Sequence, residues 1–277
     1  MKTGSLLSNE KLIPCVWTIG LAVLWEGVAF ILAEIVQDQM AGMRLPYLHD
    51  ILITLFQNAG FLAGASATTL SRAILGFAAG AAAGFLLAIA MSLYSRLEKA
   101  LYPYLLLSQM IPILGLAPVV VSIVRKAQIG PHTIAASDIT RVIIAGYITF
   151  FPVATNMLSG LKSVDRDKRN LMYSYAAGKP TVYAKLMIPF CVPYLFTGMK
   201  IAAPLAITAS ILVDSLGAAE GIGYNLTYAL YTGAYPVFWA SVLCSAALGI
   251  AGYSVAAFFE RICLPWKTAV QKKEAGV

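Results

Sequence analysis

The chain has 277 residues, of which 59% are hydrophobic and only 12% charged, and its mean hydropathy is +0.77. Soluble domains carry charge on about a quarter of their residues, so this composition excludes a soluble enzyme and makes lipid the solvent. The net charge of +7 does not indicate nucleic acid, because the cations are dispersed between apolar runs rather than gathered on one face; it fits the cationic bias of cytoplasmic loops.

Apolar runs of about 20 residues suffice to cross a bilayer. The first predicted span covers 12–36, with Trp17 and Trp25 as candidate interface anchors. It lacks an A-x-A cleavage site, which predicts a retained span rather than a signal peptide. A polar connector with Asp38, Arg44, His49 and Asp50 leads into an amphipathic stretch, 51–62, expected to lie along the membrane surface. The second span is predicted over 69–93, where Gly76, Gly80 and Gly84 recur every four residues and allow a neighbouring helix to approach closely. The third, 101–124, contains Pro103, Pro112 and Pro118. Three prolines imply a bent or broken helix, tolerated where protein or a cavity covers the freed backbone groups.

The fourth span is predicted over 142–161, with Pro152, and the fifth and sixth over 195–216 and 237–259. Between the fourth and fifth lies a basic, polar segment, SVDRDKRNLMYSYAAGKPTVYAKLMIP, from Ser163 to Pro189. It is too short to fold alone, and its place between two apolar runs predicts that it serves a soluble partner. Its Arg166, Lys168 and Arg169 suit acidic protein residues or anionic lipid heads.

About six spans put both termini on one side. With the N-terminus inside, the inner segments hold Lys2, Lys11, Arg96, Lys99, Lys162, Arg166, Lys168, Arg169, Lys179, Lys185, Arg261, Lys267, Lys272 and Lys273. The outer connectors hold Arg44, Arg125, Lys126 and Arg141. This bias predicts cytoplasmic termini and a cytoplasmic 163–189 segment. The connector 125–141 is basic on the outside and opposes the rule.

Cys15, Cys191, Cys244 and Cys263 form no CxxC pair and read as buried free thiols; His49 and His132 fall in loops. No His/Cys/carboxylate set has metal-ligand spacing. No G-x4-GK-[ST] run is present, so nucleotide energy has to come from a partner. Charges inside spans are costly and mark candidate functional sites: here Glu26, Arg72, Lys200 and Asp214. Lys200 and Arg72 are placed to snorkel, and Glu26 reads as structural. Asp214 is either a helix-packing hydrogen-bond partner or a pathway residue, with Thr208 and Ser210 on the same span. Met110 and Pro112 are candidates for a constriction on the broken third span.

The residues of the basic segment and its flanks resemble the permease subunits of ATP-binding-cassette importers, in the branch associated with nitrate, sulfonate and taurine. Their cytoplasmic loop carries E-A-A-x3-G-x9-I-x-L-P. Aligned on Pro189, this chain has Leu186-Met187-Ile188-Pro189 on I-x-L-P, Ala176 at the glycine position and Asn170-Leu171-Met172 on the E-A-A triplet. The acidic residue and both alanines are thus replaced, and Gly178 is expected to supply the turn two residues late. Gly160-Leu161-Lys162-Ser163-Val164 resembles the G-x-[RK]-S-V lead-in, and Pro193, Thr197-Gly198 and Lys200-Ile201 resemble P-x3-TG-x-[RK]-I. Asp214 stands at a usual Glu, and Gly221-Ile222-Gly223 matches G-[LI]-G. Glu260-Arg261 to Leu264-Pro265-Trp266 resembles the E-R-x2-LPW ending, and Leu24-Trp25-Glu26 and Leu45-Pro46 also have counterparts.

The resemblance implies an all-α membrane protein with about six transmembrane helices in the type I importer permease (MetI-like) fold. It implies an N-terminal helix and connector over 1–62, a five-helix core over 63–266 with the coupling loop at 163–190, and a cytoplasmic tail over 267–277. The docking residues for the ATPase would be Asn170, Leu171, Met172, Ala176, Ala177, Gly178, Lys179, Leu186, Ile188 and Pro189. Lys179 and Pro180 would end one short helix and start the next. The pathway would include Met110, Pro112, Thr208, Ser210, Asp214, Gly221 and Gly223. The implied partners are ATPase subunits, an extracytoplasmic solute-binding protein, a second permease copy and the bilayer, with no nucleic acid. No cofactor is expected on this chain, Mg-ATP belonging to the partner. The setting would be a prokaryotic inner membrane. The long connector over 125–141 departs from the family pattern and is expected to modify docking of the binding protein.

Two other readings compete. A stand-alone ion-coupled transporter fits the broken third span, but the two halves show no clear repeat. A membrane-embedded enzyme needs polar groups converging on a cofactor, metal or nucleophile, and the sequence offers no such set.

Overall fold

The computed structural model describes residues 6–124 and 136–265, and among them every regular element is helical. Among the described residues five helices are long and apolar enough to cross a membrane, or six if one sharply bent pair counts as a single span. The chain divides into two compact units, 1–63 with 225–243, and 64–224 with 244–277.

In the first unit, α1 (Leu6–Phe30) runs into a π-helical turn, Ile31–Ile35, and is followed by α2 (Ala41–Arg44) and α3 (Leu48–Gln57). Trp25 is bound rather than free. Its indole donates to the Pro46 carbonyl at 2.9 Å and meets Trp239 edge-on at 5.4 Å. Of the two candidate anchors, Trp17 alone remains largely exposed. Glu26 is structural, as its position implies: it accepts from the His49 backbone N–H at 3.1 Å.

The second unit holds most of α4 (Ala59–Leu93), then α5 (Ser95–Ser108), α6 (Ile113–Val124) and α7 (Ala136–Ser163). It continues through α8 (Arg166–Ser174), α9 (Lys179–Val182), a π turn at Tyr183–Met187, and α10 (Ile188–Ser215). The short α11 (Ile222–Tyr231) and the long α12 (Tyr235–Cys263) are the last of the described helices, each shared between the two units.

The glycines of α4 do what their spacing predicts. A Cβ on Gly76 would lie 2.5 Å from the Val142 carbonyl oxygen, and one on Gly84 would lie 2.6 Å from that of Phe150; Gly80 faces the Gly146 backbone even more closely. Backbone thus packs on backbone along α4 and α7, which glycine alone permits. Gly198 does the same for α10, its missing Cβ leaving room for the Pro152 carbonyl of α7. The predicted third span is indeed broken: α5 and α6 meet at 100° across a break of four residues or fewer. Pro112 stands at that break, while Pro103 and Pro118 sit inside helices.

Met91, Leu105, Met157, Leu161, Val182, Met187 and Cys191 form one buried cluster that ties α4, α5, α7 and α10 to the polar segment between them. Lys200 pairs with Glu260, joining α10 to α12. All four cysteines are free; Cys191 is buried, whereas Cys15 and Cys263 are exposed rather than buried as expected.

Candidate functional site

The basic segment is a short helical hairpin clamped to the spans. Asp165 caps α8, its carboxylate accepting from the Asp167 N–H at 2.9 Å, the usual role of Asp at a helix start. The helix ends in a paired motif: Ala176 N–H donates to the Tyr173 carbonyl at 2.9 Å and Ala177 N–H to that of Met172 at 3.1 Å. This is a Schellman closure, and it puts the residue after the C-cap in the left-handed region. That residue is Ala176, with φ +58°.

The alignment to the loop pattern set the glycine at Ala176, and the backbone explains the preference for glycine there. The expectation that Gly178 makes the turn is corrected. Gly178 has φ −70° and ψ 161°, an extended N-cap before α9, a conformation open to any residue. Lys179 and Pro180 start α9, as expected, but they do not end the first helix: α8 stops at Ser174, closed by the Ala176 turn.

The two helices divide their side chains. Met172, Ala177, Tyr183 and Leu186 pack against the buried cluster, with Val182 and Met187 inside it. Asn170, Leu171, Tyr175, Ala176 and Gly178 are exposed on the outer side, whereas Tyr173 and Lys179, also exposed, border a cleft toward the span ends. Leu171 is 58% exposed and Tyr175 80% exposed, an apolar face beyond the span ends. Ile188 is half-buried and Pro189 exposed at the start of α10.

At the opposite ends of the spans the structure assembles a charge network around Arg141. The sequence reading set Arg141 in an outer connector; it belongs instead to α7 and is fully buried. Its guanidinium pairs with Asp214 through Nε, donates to Asp138 at 2.6 Å, and donates to the Glu220 carbonyl at 2.6 Å. Asp214 also accepts from the Thr69 hydroxyl at 2.6 Å, and Thr69 in turn accepts from the Ile222 N–H at 2.9 Å. Arg72 does not simply snorkel: it donates to Asp138 at 3.2 Å and lies 3.9 Å from the Glu220 carboxylate.

Gly221 and Gly223 close the Asp214 site. A Cβ on Gly221, whose φ is +109°, would reach the Asp214 carboxylate and stand 3.0 Å from the Thr69 hydroxyl; one on Gly223 would lie 2.7 Å from the Asp214 Cβ. These two glycines wrap a buried carboxylate. Asp214 and Ser210 are enclosed, whereas Met110, Pro112 and Thr208 are exposed. The sequence signal for Arg141 was present in Asp138-x-x-Arg141 at helical spacing, heading an apolar run.

Residues 80–262 match the model of the binding-protein-dependent transport system inner membrane component. The chain belongs to that family. Over 265 residues it is 30% identical to the formylaminopyrimidine transport permease protein ThiX of Halalkalibacterium halodurans, covering 94% of this chain and 98% of that one. It is 25% identical to the nitrate import permease protein NrtB of Synechococcus elongatus, covering 81% and 80%. Against the putative aliphatic sulfonates transport permease protein SsuC of Bacillus subtilis it is 22% identical, covering 77% and 74%. The fold is similar to the crystal structure of an amino acid ABC transporter with histidines, at TM-score 0.59 and 14% identity over 76% of this chain and 97% of that one. The protein is a membrane permease subunit of a binding-protein-dependent importer, which sets aside the stand-alone transporter.

Proposed function

We propose that α8, the Ala176 turn and α9 form the face on which an ATPase subunit docks. The carrying observation is the outward Leu171 and Tyr175, an apolar surface on a hairpin whose other side is locked into the span ends. A rigid hairpin of this kind transmits displacement, because its inner face is continuous with the buried cluster of α4, α7 and α10. ATP and Mg belong to the partner, and the hairpin passes its closure to the helices, whose two arrangements must differ in their contacts with the hairpin for coupling to occur.

In this reading both termini and the hairpin are cytoplasmic, supported by the Lys and Arg bias of the inner segments. The working unit contains two copies of the chain beneath a solute-binding protein. Met110, Pro112 and Thr208, all exposed, are the candidates for the passage, and Asp214 acts from behind it by holding helices. The extent of the match to a formylaminopyrimidine permease, 94% of this chain, supports a small nitrogen heterocycle as the solute.

The test is affinity capture of the full chain co-expressed with its ATPase. Tyr175→Asp should reduce captured ATPase at least tenfold while the permease stays membrane-inserted and monodisperse. Undiminished capture would refute the docking face. Ligand screening of the cognate binding protein tests the solute class, and an oxyanion rather than a heterocycle would overturn it.

A further inference from the structure

Behind the docking hairpin lies a cleft of about 210 Å³, framed by the ends of α4 and α7, the start of α5 and the inner side of the hairpin. Its charged groups are Lys162, Arg169, Lys179 and Glu98, and Ser92 and Tyr183 add hydroxyls. Lys162 pairs with Glu98, so that carboxylate is already engaged. Arg169 and Lys179 have no carboxylate partner among the described residues. The Ser92 and Tyr183 hydroxyls bond to each other at 3.0 Å, which leaves lone pairs and a proton to offer an anion.

The cleft therefore has a surplus of two positive charges, three cations against one acid. It sits where two helices of spanning length end, at Leu93 and Ser163, and in the orientation proposed above it opens on the cytoplasmic side, within reach of the headgroup layer. Basic pockets between transmembrane helices on the cytoplasmic side suit acidic headgroups, and a guanidinium with an ammonium suits a phosphate. A carboxylate from a docked protein is the poorer match, because the outward apolar face of α8 is on the other side of the hairpin.

We infer that this cleft binds a phosphate-bearing anion, presented by an acidic phospholipid, and that the bound headgroup braces the hairpin against the span ends. The inference rests on the hairpin being the cytoplasmic, ATPase-facing segment.

The experiment is amine-reactive footprinting of the full chain in nanodiscs, reading Lys179 against the exposed Lys168 of α8. Nanodiscs of phosphatidylcholine alone are compared with discs containing phosphatidylglycerol, with neutral discs plus inorganic phosphate, and with neutral discs plus the ATPase. Phosphatidylglycerol should lower Lys179 labelling several-fold with Lys168 unchanged; Arg169→Gln should abolish the protection and Arg169→Lys should retain it. Equal protection by inorganic phosphate in neutral discs would keep the phosphate site and assign it to a soluble source. Protection of both lysines alike would reveal only surface potential, and protection by the ATPase alone would make the cleft part of the protein interface; either overturns the inference. So does labelling that no addition changes. Loss of ATPase capture by Tyr175→Asp with lipid protection intact separates this site from the docking face.

Discussion

Replacing Asp214 by alanine tests the buried network most directly. Arg141 has no exposed side-chain surface and faces two carboxylates, Asp214 and Asp138. Removing one partner of a buried ion pair costs about 3–5 kcal/mol, because the remaining charge stays desolvated. Asp138 remains 2.6 Å from Arg141, which places the expected loss near 3 kcal/mol, at the low end of that range. The substitution also leaves the Thr69 hydroxyl only the longer bond to the Ala65 carbonyl, at 3.2 Å, and removes the carboxylate around which Gly221 and Gly223 fold. At roughly 2–4 °C per kcal/mol for a chain of this size, the thermal midpoint should fall by on the order of 10 °C. Fluorescence-monitored unfolding of the detergent-purified chain reads this. The double variant Arg141→Met with Asp214→Leu removes both charges and should recover most of the loss, since Asp138 keeps Arg72 at 3.2 Å. A drop of less than about 2 °C for Asp214→Ala, under 1 kcal/mol by the same conversion, would refute the claim that Asp214 holds the helices together. Recovery of stability without recovery of uptake in the double variant would show that the charges also serve transport.

Ala176→Gly should stabilise the hairpin by about 1 kcal/mol, the cost of an L-residue in the left-handed region, and hydrogen exchange of the Ala177 amide should slow accordingly. Ala176→Val should do the reverse and weaken ATPase capture. Gly80→Val should disrupt α4–α7 packing by more than the 1–3 kcal/mol typical of overpacking, because its Cβ would meet the Gly146 backbone rather than a movable side chain; it should be poorly inserted or unstable in detergent. Gly249→Ala is the control: nothing lies within 4 Å of its Cβ position, so its thermal midpoint should be unchanged or slightly raised. Lys200→Met breaks a pair whose side chains are 20% and 11% exposed, so its loss should be smaller than that of Asp214→Ala, about 1–2 kcal/mol. A larger loss for Lys200→Met would reverse the ranking of the two pairs.

The spans were legible because hydropathy is local: each crosses the membrane on its own run of apolar residues, and the structure moves only the ends. The α7 helix starts at Ala136 rather than 142, and α10 at Ile188 rather than 195. The glycine row of α4 was legible for the same reason, since a four-residue interval defines one helix face. The order and spacing of the motifs from Trp25 to Trp266 carried the family, and Lys179-Pro180 marked the start of the second hairpin helix. The connector over 125–135 and the tail over 266–277 lie outside the described residues.

What the tertiary structure alone decided is where charges and turns end up. Arg141 read as a loop cation because one of its two counter-charges, Asp214, is on another helix; Thr69 and Asp214, which complete the site, are 145 residues apart in sequence. The turn of the hairpin fell to Ala176 and not to Gly178, although glycine is the residue that suits such a turn. The length of α8 and the packing of Met172 and Ala177 on the span ends place the Schellman closure there, and the strain of one alanine is small beside the apolar contacts that fix the helix.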